Sequence, residues 1–158
     1  MPAAKTNALR LLDAAGIAYE IREYPFDDDH PTGLHQESLP PELRERMFKT
    51  LVTRGEKRGI LVFCLPVSEE LDMRKCAVAA HDKRVEMVHM KDVLGLTGYI
   101  RGGCSPVGMK KKYPVIFDET ALLYDSIYVS AGQRGMQMRV NTEALIAFVG
   151  GVCADVTK

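Results

Sequence analysis

The apolar run Ile60-Leu61-Val62-Phe63-Cys64-Leu65 decides the fold of this 158-residue chain. A strand with hydrophobic side chains at nearly every position is buried on both faces, so this run predicts a central strand. A charged turn at residues 55–59 separates it from a second strand at residues 48–53. The spacing predicts an antiparallel hairpin at the centre of the fold.

Further elements are predicted on both sides of this hairpin. In residues 17–21, Ile17, Tyr19 and Ile21 alternate with polar or small residues, which predicts a strand with one buried face. Other strands are predicted at residues 85–88, 115–117, 127–130 and 136–140. Helices are predicted at residues 8–15, 40–47, 73–80, 91–94 and 142–148, with Asp72 and Asn141 as N-caps of the third and the last.

Hairpins outnumber strand–helix–strand units in this order, which indicates the α+β class. We therefore expect a single domain over residues 1–158. Its core is expected to be a mixed, mostly antiparallel and strongly curved sheet, barrel-like, of about six or seven strands with surrounding helices.

Composition limits the classes of function. Lys and Arg together number 21, as do Asp and Glu, so a nucleic-acid contact would need a local basic patch. The chain shows no apolar leader and no stretch of 18 apolar residues, so we expect neither a signal peptide nor a membrane segment. Four cysteines without CxxC spacing favour free thiols in a reducing cytoplasm, with no metal or cofactor.

The segment Gly102-Gly103-Cys104-Ser105-Pro106-Val107-Gly108 predicts a sharp loop, because three glycines and a proline exclude a helix or a plain strand. Successive backbone N–H groups in such a loop can bind an anion or a developing oxyanion. The basic run Lys110–Lys112 follows directly. The alternative is a structural turn with a solvated basic tail.

Single residues give weaker signals. Lys49 lies in an apolar strand, where it is either a snorkelling surface residue or a cation aimed into a cleft. Cys104, Ser105 and Ser130 have the residue type of a nucleophile, but no nucleophile elbow surrounds them. His30 and His35 lie beside three aspartates without tight metal-ligand spacing, which favours a solvated loop.

Three motifs, taken in order, resemble those of the YbaK/ProX family, which includes the editing domain inserted in bacterial prolyl-tRNA synthetases. They are Met47-Phe48-Lys49-Thr50-Leu51-Val52, then residues 97–108 (TGYIRGGCSPVG), then residues 127–135 (IYVSAGQRG). The resemblance covers nearly the whole chain and implies that family's mixed β-barrel. It also implies a cytoplasmic enzyme, an ester hydrolase that deacylates mischarged aminoacyl-tRNA.

The resemblance also implies roles for individual residues. The matching lysine, Lys49, would hold the 3′ end of the substrate, and the glycine–proline loop would wrap the aminoacyl ester. We expect catalytic roles for Lys49, Gly103 and Ser105. Substrate contacts are expected from Tyr24, Thr50, Gly102, Pro106, Gly108, Ser130 and Gln137, and tRNA contacts from Arg101, Lys110, Lys111 and Lys112.

Amino-acid specificity is open at this stage. Cysteine-specific relatives often carry an aspartate where this chain has Gln137, and an amide can only hydrogen-bond an ammonium group that a carboxylate would attract. Cysteine on proline tRNA is the favoured substrate and alanine the alternative. A non-catalytic tRNA-binding or regulatory module on the same fold is a further alternative, and prolyl-tRNA synthetase is a conceivable partner.

Overall fold

The computed structural model of the chain describes residues 5–24 and 40–158. Five α-helices and eight β-strands lie in these residues. The helices are α1 (Asn7–Ala15), α2 (Pro41–Arg46), α3 (Met73–Ala80), α4 (Val93–Thr97) and α5 (Thr142–Val149). The strands are β1 (Tyr19–Glu23), β2 (Phe48–Gly55), β3 (Gly59–Pro66), β4 (Val85–Met87), β5 (Val115–Asp118), β6 (Ser126–Gln133), β7 (Met136–Asn141) and β8 (Val152–Ala154).

The strands form two sheets. One is antiparallel with the order β1-β7-β6, and the other is mixed with the order β4-β2-β3-β5-β8. In the second sheet β5 pairs in parallel with β3 and with β8, while β2 is antiparallel to β3 and β4. The predicted α+β class and the mostly antiparallel pairing are therefore confirmed.

The expected barrel-like closure is not found in the described residues. The two sheets meet at a single isolated bridge between Met47 and Tyr128, just before β2 and inside β6. One bridge does not continue into a ladder of hydrogen bonds, so the strands remain two sheets. The resemblance to a β-barrel family implied closure, and no sequence pattern distinguishes a closed sheet from two that touch.

The apolar run on β3 is buried on both faces, as predicted. Val62 and Cys64 belong to one hydrophobic cluster, which α1, β6 and β7 also supply. Leu61, Phe63 and Leu65 belong to a second cluster together with residues of α3. The hairpin register pairs Thr50 with Cys64 and Val52 with Val62, so β2 is held tightly along its whole length.

Two local predictions were wrong. Ile21 was expected on a buried face but is 45% exposed, because β1 pairs with β7 at the border of its sheet. Strand β8 was not predicted; its Val152 pairs in parallel with Ile116 of β5, a long-range contact without a local pattern. The predicted caps are confirmed, since Asp72 accepts from the N–H groups of Arg74 and Lys75 and Asn141 accepts from that of Ala144.

No helix within residues 5–24 and 40–158 has the length and apolar character needed to span a membrane.

Candidate functional site

A pocket of about 400 Å³ opens where the two sheets meet. Residues 48–52 of β2 form one wall, and Ser130 of β6 and Gln137 of β7 come from the other sheet. The glycine loop contributes Arg101, Gly102 and Cys104. The remaining wall is mainly apolar and comes from residues 67–73 and 87–93.

Lys49 is the cation on the β2 wall. Its Nζ donates to the carbonyl oxygen of Val67 at 3.3 Å, which holds the side chain against the end of the neighbouring strand β3. Burial lowers the pKa of the Lys49 amine from its ordinary value, and the nearby carboxylates of Glu70 and Glu69 oppose that shift. Glu70 is itself paired with Lys158 at 3.0 Å. A partly desolvated ammonium is a natural partner for a phosphate or for a polarised carbonyl oxygen.

The first half of the glycine loop faces the same pocket. Gly102 has a φ of +85°, in the left-handed region that glycine adopts without strain. The N–H of Gly103 donates to the carbonyl oxygen of Ile100 at 2.9 Å and is therefore used inside the loop. In the part of the chain that the structure describes, the N–H groups of Gly102 and Cys104 donate to no protein group. Because both residues line the pocket, these N–H groups are candidate backbone donors to a ligand.

The thiol and hydroxyl groups near the loop are poor nucleophiles. Cys104 is 6% exposed, and burial raises the pKa of its thiol to about 11. Burial likewise raises the pKa of Cys64 to about 12. Ser105 is fully buried, and its hydroxyl accepts a hydrogen bond from the N–H of Val107 at 3.2 Å. No base is bonded to any of these groups in the described residues, so none is activated for attack.

Gln137 lines the pocket and has an unpaired amide oxygen. The residue is only 4% exposed, and its Oε1 has no hydrogen-bond partner within residues 5–24 and 40–158. An unpaired buried polar atom is costly, and a folded protein tolerates it where a ligand supplies the missing partner. A donor such as an ammonium or thiol group of a ligand would supply the missing hydrogen bond to Gln137 Oε1.

The hairpin formed by β6 and β7 holds the glycine loop in place. Ser130 Oγ donates to the carbonyl oxygen of Gly103 at 3.0 Å and accepts from the N–H of Gly132 at 3.1 Å. Arg134 Nε donates to the carbonyl oxygen of Arg101 at 3.0 Å. A Cβ at Gly103 would lie 3.1 Å from the Arg134 backbone nitrogen, so a larger residue would crowd the hairpin backbone. The third motif, a plain hairpin signal by itself, thus supports the second.

The structure places the predicted site residues at several different locations. Lys49, Thr50, Arg101, Gly102, Ser130 and Gln137 line the pocket, whereas Gly103 and Ser105 lie behind the loop surface. Pro106, Gly108, Lys111 and Lys112 line a second cavity instead. Lys110 is exposed and its Nζ donates to the carbonyl oxygen of Gly95 at 3.4 Å. Tyr24 packs against Met47, Val67 and Tyr128.

Sequence reasoning missed most of the apolar wall. Met73, Met87 and Met90 come from two segments that are separate in the chain, and no periodic pattern links them. Arg134 was also missed, because a hairpin arginine carries no sign of a distant carbonyl partner. The described residues contain no group of three or more potential metal ligands, and the aspartates and histidines of residues 27–35 lie outside them.

Known proteins resemble this chain over most of its length. The family model of the aminoacyl-tRNA editing domain matches residues 37–148. EbsC of Enterococcus faecalis, named as a candidate Cys-tRNA(Pro)/Cys-tRNA(Cys) deacylase, is 45% identical over 156 residues, covering 97% of this chain and 93% of the relative.

Two crystal structures share the fold. One is of a candidate trans-editing enzyme for prolyl-tRNA synthetase, with a TM-score of 0.76, 23% identity and 99% of both chains covered. The other is of a hypothetical protein, with a TM-score of 0.79 and 19% identity, covering 97% of this chain and all of the other.

Proposed function

The chain belongs to the aminoacyl-tRNA editing domain family, and on that premise we propose that it hydrolyses the ester between cysteine and mischarged proline tRNA. The observation that carries the proposal is the pocket, which is lined by Lys49, by Gly102 and Cys104 with their free N–H groups, and by Gln137 with its unpaired amide oxygen. Each of these groups can bind one part of an aminoacyl ester at the 3′ end of tRNA.

The proposed roles follow from charge and hydrogen-bonding capacity. Lys49 and Arg101 bind the phosphate and ribose side of the terminal nucleotide. The N–H groups of Gly102 and Cys104 stabilise negative charge on the ester carbonyl oxygen as the tetrahedral intermediate forms. Gln137 Oε1 accepts a hydrogen bond from the α-ammonium group of the amino acid. An aminoacyl ester is already activated, so positioning and oxyanion stabilisation suffice without a protein nucleophile.

Two attacking groups are compatible with this site. Water can add to the carbonyl carbon and release the free amino acid and the ribose hydroxyl. The thiol of a cysteinyl substrate can instead form a C–S bond as the C–O bond to ribose breaks. That route releases a cyclic thiolactone, which water then opens. A free thiol with a pKa near ~8.5 is partly ionised at neutral pH, so it can act without an activating base.

The two attacks predict different specificities. A pocket that distinguishes amino acids by one methylene gains only about 1–3 kcal/mol. Attack by the substrate thiol would exclude alanine altogether, whereas attack by water would leave alanine a slow substrate. Cysteine is favoured here because the relative that is 45% identical carries that specificity in its name.

The test is a side-by-side deacylation assay with Cys-, Ala-, Ser- and Pro-tRNA(Pro). We expect cysteine to be released fastest and proline to be retained. Lys49→Met keeps the length and apolar stem of the side chain but removes its charge, and it should slow release at least tenfold. Lys57→Met, on the exposed turn between β2 and β3, is the matched control. If no ester is hydrolysed above the rate in buffer, the chain is a non-catalytic tRNA-binding module.

The proposed substrate also suggests a partner enzyme and a cellular location for the protein. Misacylated proline tRNA is a product of prolyl-tRNA synthetase, so the synthetase immediately precedes this enzyme in the reaction sequence and direct contact is testable by co-purification. A cytoplasmic location is part of the same proposal, because charged tRNA is used there in translation.

A further inference from the structure

The glycine loop separates two cavities. Gly102 and Cys104 face the pocket described above, while Pro106, Val107 and Gly108 face a second cavity of about 310 Å³. Cys104 and Pro106 are two residues apart, so their Cα atoms are at most about 7.6 Å from one another. A single flexible strand bound by the loop can therefore reach both cavities.

The second cavity is apolar with a cationic border. Leu11 of α1, Phe148 of α5 and Tyr113 contribute hydrophobic or aromatic surface, and Lys111 and Lys112 contribute the charges. Among residues 5–24 and 40–158, no carboxylate lines the cavity. The hydroxyl of Tyr113 donates to the carbonyl oxygen of Leu96 at 2.7 Å, so this polar group is already satisfied. The cavity thus offers apolar surface for a flat ring and positive charge for an anion beside it.

Phe148 supports a binding role rather than a structural one. It is 38% exposed, and it belongs to none of the hydrophobic clusters of the described residues. Leu11, across the cavity on α1, is 37% exposed. Each side chain therefore keeps more than a third of its surface accessible, so both can cover a ligand.

We propose that the second cavity binds the base of the nucleotide that precedes the terminal adenosine of tRNA, with Lys111 and Lys112 on the adjoining phosphates. The inference rests on the proposed function, because it takes the aminoacylated 3′ end of tRNA as the ligand of the first pocket. Aromatic side chains that stack on bases beside a basic groove are the usual means of holding single-stranded nucleic acid, and they do so without reading sequence.

The experiment compares three cysteinyl substrates: an RNA acceptor hairpin, the same hairpin with an abasic site before the terminal adenosine, and cysteinyl-adenosine. Base–aromatic stacking of about 1–3 kcal/mol predicts a loss of about 5- to 150-fold in kcat/KM when the base is removed. Phe148→Ala should show the same loss on the intact hairpin and no further loss on the abasic one. Its cleavage of cysteinyl-adenosine should equal that of the unaltered protein.

Phe148→Tyr keeps a ring, so this variant should cleave the intact hairpin normally. Leu123→Ala is the matched control, because this leucine is 74% exposed and lines neither cavity. Equal losses for Phe148→Ala on all three substrates, or none on the intact hairpin, would overturn the proposal. A change in oligomeric state without a change in cleavage would also overturn it and assign the cavity to a protein contact. If the unaltered protein cleaves none of the substrates, the proposed hydrolysis fails. In that case, the affinities for the intact and the abasic hairpin, both without an attached amino acid, test independently whether the second cavity binds the base.

Discussion

The hydroxyl of Ser130 donates a 3.0 Å hydrogen bond to the carbonyl oxygen of Gly103, which connects β6 to the glycine loop. That carbonyl belongs to the peptide whose N–H is carried by Cys104, a pocket-lining residue whose N–H donates to no protein group in the described residues. The peptide unit is planar, so fixing its oxygen also fixes the direction of its N–H. Under the proposed mechanism, Ser130 therefore positions the oxyanion donor through a group on the opposite side of the same peptide.

Ser130→Ala should release this peptide and slow catalysis. The Gly103 carbonyl would lose its partner in a buried position, at a cost of about 1–3 kcal/mol. We expect kcat for cysteinyl-tRNA to fall about tenfold or more while KM stays nearly constant, because the N–H acts on charge that develops in the transition state. Steady-state kinetics measure both parameters.

Ser126→Ala is the matched control, because Ser126 lies on the same strand and its hydroxyl bonds Arg46 and Arg139, away from the pocket. It should affect stability without lowering kcat. If both variants lower kcat equally, Ser130 has only a structural role.

Cys104→Ala should leave the reaction without a covalent intermediate, as in the unaltered protein. The buried thiol has its pKa raised to about 11, so only a very small fraction is ionised at neutral pH. We expect a modest loss of rate, caused by the change in packing beside the loop. Rapid quenching followed by mass spectrometry of the protein is the measurement. Detection of an acyl group on Cys104 in the unaltered protein would contradict the proposed mechanism.

The same thiol should make the protein less stable in alkali. Unfolded Cys104 loses its proton near its ordinary pKa of 9.0, whereas the folded thiol keeps its proton until about pH 11. Between these values the unfolded state binds fewer protons, so the free energy of unfolding falls as pH rises, by about 1.4 kcal/mol per pH unit. Thermal unfolding at several pH values should show a shallower decline of Tm for Cys104→Ala. Parallel curves for the two proteins would contradict this.

Much of the fold could be predicted from the sequence because its signals are local. The unbroken apolar run on β3 and the caps at Asp72 and Asn141 each act within a few residues. The pairing of β8 with β5 and the meeting of the two sheets at Met47 and Tyr128 depend on contacts between distant segments. Such contacts leave no periodic trace in a single sequence.

The candidate site shows the same division. Motif resemblance singled out Lys49, Gly102 and Gln137, which all line the pocket. It gave no indication that Pro106 and Gly108 face a different cavity from Gly102, because a loop of seven residues can present two sides. The methionines of the apolar wall and the contact made by Arg134 could be identified only from the three-dimensional structure.

Gln137→Met should stabilise the protein and impair its activity. Methionine has a similar length but no polar atom, so the substitution removes a buried amide oxygen without a partner. We expect Tm to rise by about 2–4 °C, corresponding to about 1 kcal/mol for a chain of this size. The deacylation rate should fall at least tenfold because the substrate loses its acceptor. Calorimetry and the deacylation assay measure the two effects.

Gln133→Met, at an exposed position of the β6–β7 hairpin, is the control and should change neither quantity strongly. A decrease in Tm for Gln137→Met would show that the amide contributes to the fold, and unchanged activity would remove it from the site.

Substitution of Lys110, Lys111 and Lys112 together by alanine should weaken binding of tRNA and flatten its dependence on salt. These exposed lysines follow the glycine loop directly, and Lys111 and Lys112 border the second cavity. Each phosphate that a lysine neutralises releases condensed counterions, so the logarithm of affinity falls with the logarithm of salt concentration by about 0.7 per contact on single strands. KM for mischarged tRNA should rise, while cleavage of cysteinyl-adenosine, which has no stem, should hardly change.

The control replaces Lys57, Lys83 and Arg84, three exposed cations that line neither cavity, and removes the same charge. Because the net charge of both variants is identical, a reduced salt slope in the first and not in the second would place the tRNA on this side of the loop. Equal slopes would place its path elsewhere.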